Sequence, residues 1–203
     1  MQKFLYFILL LIMCSCFQKK EPLLGDTPYQ RSLNASFKDA STSPLKKKDR
    51  KVFKSLDFFD VDSTYIVQAR LERTPNTEFF EMPTTTDRKA KERVFGIVNF
   101  KIKNEDFSLK IYESQDLMEQ EGYEDYLFLP FLDLTNGDST YGGGRYIEVG
   151  LHDKENDSII TIDFNTAFNP YCAYNEDYSC PIVPRENFLN TEIKAGVKAF
   201  VKD

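Results

Sequence analysis

The sequence predicts a mainly β protein: a single antiparallel β-sandwich or partly closed β-barrel with little helix. Period-two alternation of apolar and polar residues recurs from about residue 65 onward, as half-buried strands require. Short polar connections separate the alternating runs, which favours antiparallel neighbours over crossovers. Eighteen Phe and eleven Tyr, with no Trp, supply bulky residues suited to a pleated surface.

The chain opens with Lys3, an apolar run from Phe4 to Met13, and then Cys14-Ser15-Cys16. That order is a secretory signal. About ten apolar residues are too few to span a bilayer, which needs roughly 18 or more. The run Met13-Cys14-Ser15-Cys16 resembles a bacterial lipobox, with the small Ser15 before the cysteine that receives lipid. Residues 1–15 are therefore expected to be a signal peptide and Cys16 the lipidated first residue. Cys14 fits less well, since the bulky Met13 precedes it. The expected partner of the N-terminus is a lipid bilayer, with the domain in the cell envelope.

Residues 16–43 mix Pro, Gly, Ser, Asn and Lys without sustained apolar periodicity and are expected to be a flexible tether. From Lys19 to Lys54 ten basic residues face four acidic ones. Residues 55–203 carry 15 basic and 28 acidic groups, a net of −13. An exported, acidic domain argues against nucleic acid as a partner.

Residues 44–203 are expected to form one domain. A short helix is expected from Pro44 to Ser55, and another turn from Ser114 to Gln120. In the first strand Tyr65, Val67, Ala69 and Leu71 share one face. Val94 to Lys103 and Phe107 to Ile111 read as a hairpin across Asn104-Glu105-Asp106. Further strands are expected at Tyr126 to Leu134, Tyr146 to Leu151, Ser158 to Phe164 and Thr191 to Phe200, seven in all. Asn136-Gly137 and Glu155-Asn156-Asp157 supply turn residues between them.

Several motifs stand out from ordinary strand sequence: Glu81-Met82-Pro83-Thr84-Thr85-Thr86-Asp87-Arg88, Thr140-Tyr141-Gly142-Gly143-Gly144-Arg145-Tyr146, and Asp163-Phe164-Asn165 running to Asn169-Pro170-Tyr171-Cys172-Ala173-Tyr174 and Cys180-Pro181. In that order they resemble the domain-of-unknown-function family 1684, over about residues 42–202. The resemblance implies a β-rich domain and carries no activity with it.

The same motifs hold the candidate site residues. Gly142, Gly143 and Gly144 with Arg145 offer backbone N–H groups and a guanidinium to an anion, or else form a tight turn. The spacing is neither a P-loop nor a dinucleotide fingerprint. Thr84, Thr85 and Thr86 with Arg88 are hydroxyls and a cation suited to a polar ligand, or a strand end with an ion pair. Asp163, Asn165 and Asn169 either line a pocket mouth or cap their own loop. Cys172 and Cys180 are a disulfide, a pair of structural thiols or a chemically active pair. No metal site is expected, and no motif names a cofactor. The single histidine, His152, beside Asp153, argues against histidine-based hydrolysis.

These residues point to a lipid-anchored envelope protein that binds a small polar or anionic ligand, or a partner, at a rim built from Thr84–Arg88, Gly142–Arg145 and Asp163–Cys172. The alternatives are an envelope hydrolase or transferase using carboxylates and hydroxyls, and a purely structural envelope protein.

Overall fold

The structure, a computed structural model, describes residues 24–123, 125–151 and 158–200. The expected signal peptide, Cys16, His152 and the Glu155–Asp157 turn lie outside these residues.

Strand β1 (Ile66–Arg73) alternates strictly, with Val67, Ala69 and Leu71 inward and Gln68 and Arg70 outward. It lies between β3 (Lys89–Ile102) and β7 (Ile159–Asp163), antiparallel to both. A hairpin joins β3 to β4 (Glu105–Ser114). Its turn residues Lys103 and Asn104 have φ of 49° and 69°. Positive φ at both central positions matches the right-handed twist of the flanking strands. The turn thus sits one residue earlier than the expected Asn104-Glu105-Asp106. Strands β5 (Tyr126–Asp133) and β6 (Arg145–Gly150) extend the sheet to the order β6-β5-β4-β3-β1-β7. Short β2 (Phe80–Pro83) adds to β3, and two-residue β8 (Phe188–Leu189) runs parallel to β5. The result is a curled antiparallel half-barrel, the partly closed barrel of the sequence reading.

The inside of the curl is the main core. Leu127, Leu129 and Phe131 of β5 and Ile147 and Val149 of β6 meet Val67, Ala69, Leu71, Ile160 and Ile162 there. The alternate residues, Tyr126, Phe128, Tyr146 and Glu148, face the opposite side.

A β-bulge decides what β3 contributes to each side. The register moves between Val94, opposite Tyr112, and Gly96, opposite Ile111. The extra residue, Phe95, reverses the facing of the strand. Val98, Phe100 and Ile102 therefore fill the main core, while Ala90 and Val94 join Tyr112, Phe128 and Tyr146 on the outer face.

Two sequence expectations are corrected. Residues 28–38, inside the expected flexible tether, form helix α1 (Pro28–Lys38). Thr27 and Gln30 close a capping box, and the buried Phe37 packs edge-on against Tyr174 with ring centroids 4.8 Å apart. Asn34 locks the helix to the body, donating to the Leu24 carbonyl at 2.7 Å and accepting from the Leu56 amide at 2.8 Å. The expected strand Thr191 to Phe200 is instead irregular. Side chains and loops satisfy its backbone where a neighbouring strand would otherwise do so. The Ile193 amide donates to Asp133 at 2.8 Å, and the Ile193 and Ala195 carbonyls accept from Arg145. Gly196, at φ 77°, passes 2.5 Å from the Ala167 carbonyl oxygen at the place a Cβ would occupy, so only glycine fits. The expected short helices are found within their predicted spans, as α2 (Lys47–Val52) and α3 (Gln115–Met118).

Candidate functional site

The outer face of β3, β5 and β6 is covered by the loop from residue 168 to 183. Tyr146 anchors that loop twice. Its backbone pairs with Phe168, donating at 2.9 Å and accepting at 3.0 Å, and its hydroxyl donates to the Pro181 carbonyl. The end of β2 anchors it again, since the Thr85 amide donates to the Cys180 carbonyl at 2.9 Å and the Ile182 amide to the Pro83 carbonyl at 2.8 Å. Between loop and sheet lies a cleft of about 350 Å³.

Its floor is Tyr126, Phe128 and Tyr146, with Phe168, Tyr171 and Tyr178 from the covering loop. Three carboxyl groups, Glu92, Asp116 and Glu148, line it with one cation, Arg88. Glu92 is 4% exposed, and its Oε2 has no hydrogen-bond partner. Burial lifts its carboxyl to about 7 against a hydrogen bond from Ser114, its cross-strand partner. Burial also raises Glu148, which stays open to solvent on a concave wall whose other atoms displace water. Arg88 is spent on the loop: its Nε donates to the Ser179 hydroxyl at 3.1 Å and its Nη2 to the Ser179 carbonyl at 2.9 Å.

The expected rim converges in part. Thr85 meets Cys172 and Cys180, while Thr84, Thr86 and Arg88 meet the neighbouring Ser179. Thr84 Oγ1 donates to the Arg88 carbonyl and accepts from the Ser179 hydroxyl at 2.8 Å, and Thr86 Oγ1 lies 2.6 Å from the same Ser179 oxygen. These threonines therefore stitch the cleft wall together. Cys172 and Cys180 stand as free thiols. The Cys172 amide donates to the Cys180 sulfur at 3.2 Å. Hydrogen bonds from the Cys180 thiol first, then from the Thr85 and Tyr141 hydroxyls, hold the partly exposed Cys172 thiol down to about 6. That bond and burial push Cys180 up, and burial together with the Cys172 charge raises Tyr141 to about 12.

The other candidates lie elsewhere. Arg145, expected to meet an anion, is fully buried, with both terminal nitrogens of its guanidinium bonded to the chain itself and its Nε unpaired. It pairs with Asp133 at 3.1 Å, donates to the Ile193 carbonyl at 2.8 Å and to that of Ala195, and lies over the Phe131 ring. Gly144 has φ of 88° and would place a Cβ 2.7 Å from the Phe131 carbonyl oxygen, so it serves a close approach of chains. Gly142 and Gly143 belong to the turn leading to it and do not line the cleft. Asp163 and Asn165 cap their own loop: Asp163 accepts from the Asn165 amide at 2.9 Å, and Asn165 exchanges two 3.0 Å bonds with the Asp62 backbone. Asn169 is buried beneath the loop, donating to the Tyr174 hydroxyl and the Lys198 carbonyl.

Glu92 and Glu148 went unnoticed in the sequence, where each is one acid among twenty-eight. Glu148 sits at an outward position of a strand expected from the alternation. Glu92 is legible only once the bulge at Phe95 is known. No group of three or more metal-binding side chains occurs among the described residues.

The family model described as protein of unknown function, DUF1684, matches residues 51–198. The chain belongs to this family. Every residue lining its cleft lies within the matched DUF1684 span, and α1 lies outside that span. A similar fold is found in the solution NMR structure of an uncharacterized protein from gene locus rrnAC0354 of Haloarcula marismortui. The two share 31% identity over 83% of this chain and 89% of that one, with a TM-score of 0.66. No curated protein matches this DUF1684 chain.

Proposed function

We propose that this is a lipid-anchored envelope protein whose domain binds a small organic ligand in the cleft between the outer sheet face and the 168–183 loop. One observation carries the binding reading: a buried carboxyl, Glu92, lines an aromatic cavity with one oxygen unpaired. A buried polar group without a partner costs about 1–3 kcal/mol, more when charged, and a bound ligand that supplies the missing hydrogen bond recovers it.

The binding reading is tested by a fragment screen on the full-length chain, read by NMR shifts of the Tyr126, Phe128 and Tyr146 side chains. Fragments that shift these signals in the native protein but not in Glu92→Gln support it. Fragments that map only to other surfaces overturn it. The anchor rests on the lipobox-like Ser15-Cys16 and is tested by metabolic palmitate labelling, expected to be lost in Cys16→Ser.

The competing reading is an acid–base hydrolase. It is favoured by a carboxyl held near neutrality in the same cleft as a second carboxylate, the environment that suits a general acid. Turnover of an activated glycoside or ester that vanishes in Glu92→Gln, with the fold retained by circular dichroism, establishes it.

A further inference from the structure

Chemistry on the cleft wall narrows the ligand class, an inference that rests on the cleft being the binding site. Three elements each bring a carboxyl group. Glu92 comes from β3, Glu148 from β6 and Asp116 from α3, while Tyr112 of β4 and Tyr126 of β5 lie close enough to feel the Glu92 charge. Cys180 and two tyrosines come from the covering loop. Arg88, the single cation of the lining, has its Nε and Nη2 tied to Ser179. An anion entering here meets three carboxyl groups against one guanidinium, two of whose three nitrogens are held by Ser179.

We propose that the cleft takes a small primary organic cation, an ammonium group on an apolar or aromatic body, with the ammonium against Glu92 and the body among the rings. Three features converge on this. The unpaired Oε2 of Glu92 is an acceptor, and an ammonium is a donor with no acceptor of its own. Aromatic faces attract a cation through the ring quadrupole, more strongly when both are out of water, and Tyr126, Phe128 and Tyr146 supply such rings beside the carboxyls. The volume, about 350 Å³, stands at the small end of ligand pockets, which run from roughly 300 to 1,000 Å³.

Binding is linked to one proton. Below neutral pH the Glu92 carboxyl is protonated and offers a cation no charge. Docking the ammonium ionises it, and the proton leaves to solvent. Affinity for an amine that stays charged throughout therefore rises about tenfold per pH unit from pH 5 toward pH 7 and levels off above it.

The test titrates the full-length chain calorimetrically with three probes of one shape: 2-phenylethylamine hydrochloride, neutral 2-phenylethanol and anionic phenylacetate. The expected result is that the amine binds at least tenfold more tightly than the alcohol, that the acid does not bind, and that amine affinity follows the pH profile above. Glu92→Gln removes the pH dependence and weakens the amine at least tenfold while leaving the alcohol unchanged. Glu148→Gln, altered at a solvent-open position, weakens the amine by a smaller factor and keeps the dependence, which covers the case in which the buried substitution disturbs folding. Equal or tighter binding of the alcohol or the acid overturns the cation and leaves the cleft reading standing. Failure of all three probes while other fragments still map to the cleft also overturns the cation alone. Absence of any fragment in the cleft overturns both.

Discussion

Arg145 and Glu92 are both enclosed charged residues, and their surroundings give them opposite fates. Arg145 has Asp133 and two carbonyls around it, so removing it strands a buried carboxylate. Arg145→Ala is expected to destabilise the fold by about 3–5 kcal/mol in a urea titration, and Lys does not restore it, because one ammonium cannot reproduce the forked donors. Glu92 lacks such a partner, and its carboxyl is lifted from 4.5 to about 7 in the folded state. Between those values the unfolded chain sheds a proton that the native state keeps, so native stability falls as pH rises through the window and is level above it. The full loss is on the order of 3 kcal/mol. In Glu92→Gln this slope should disappear from melting curves taken between pH 4 and 8; an unchanged slope places the titration elsewhere. At this scale the sequence was partly legible. Asp163 and Asn165 cap their loop, one of the two roles their spacing allowed, whereas Asn169 is buried and bonds the Tyr174 hydroxyl and the Lys198 carbonyl. Arg145 misled because Gly-Gly-Gly-Arg looks the same whether the guanidinium faces solvent or core, and only the return of residues 193–195 decides it.

Elements were legible wherever the alternation was clean, as in β1 and in the β3–β4 hairpin. They were illegible where a side chain replaces a strand partner, as Arg145 and Asp133 do for residues 191–200. The short β2 was hidden because four residues with Pro83 at the end show too little periodicity. The covering loop is the element on which the cleft most depends, and its two thiols give a way to follow it. Cys172, held near 6, is ionised at neutral pH, whereas an unperturbed thiol titrates near 8.5. Iodoacetamide should therefore modify Cys172 with a half-maximal rate near pH 6 and leave the buried Cys180 untouched, as mass spectrometry of tryptic peptides will show. Thr85→Val removes one donor to the sulfur and should move that midpoint upward; a midpoint already near 8.5 in the native chain contradicts the hydrogen-bonded arrangement.

For the whole molecule, the half-barrel has two working faces, one packed as a core and one roofed by a loop. The N-terminal segment belongs to that body more than its composition implies. Thr27-Pro28-Tyr29-Gln30 is a capping box, and Leu33 and Phe37 stand four residues apart on one helix face. Both signals were present in a stretch whose Ser, Asn and Lys content reads as spacer. Phe37→Ala is expected to cost about 3–5 kcal/mol if α1 unfolds with the rest. A separate early transition, with protease cleavage confined to residues 28–38, would show that the helix melts alone. With α1 fixed to the body, only eleven residue steps separate Cys16 from Thr27, and at about 3.5 Å per residue they reach no more than roughly 40 Å. Under the proposed anchoring at that cysteine, the domain surveys only a thin layer of fluid next to the bilayer, and a ligand of the cleft is drawn from that layer.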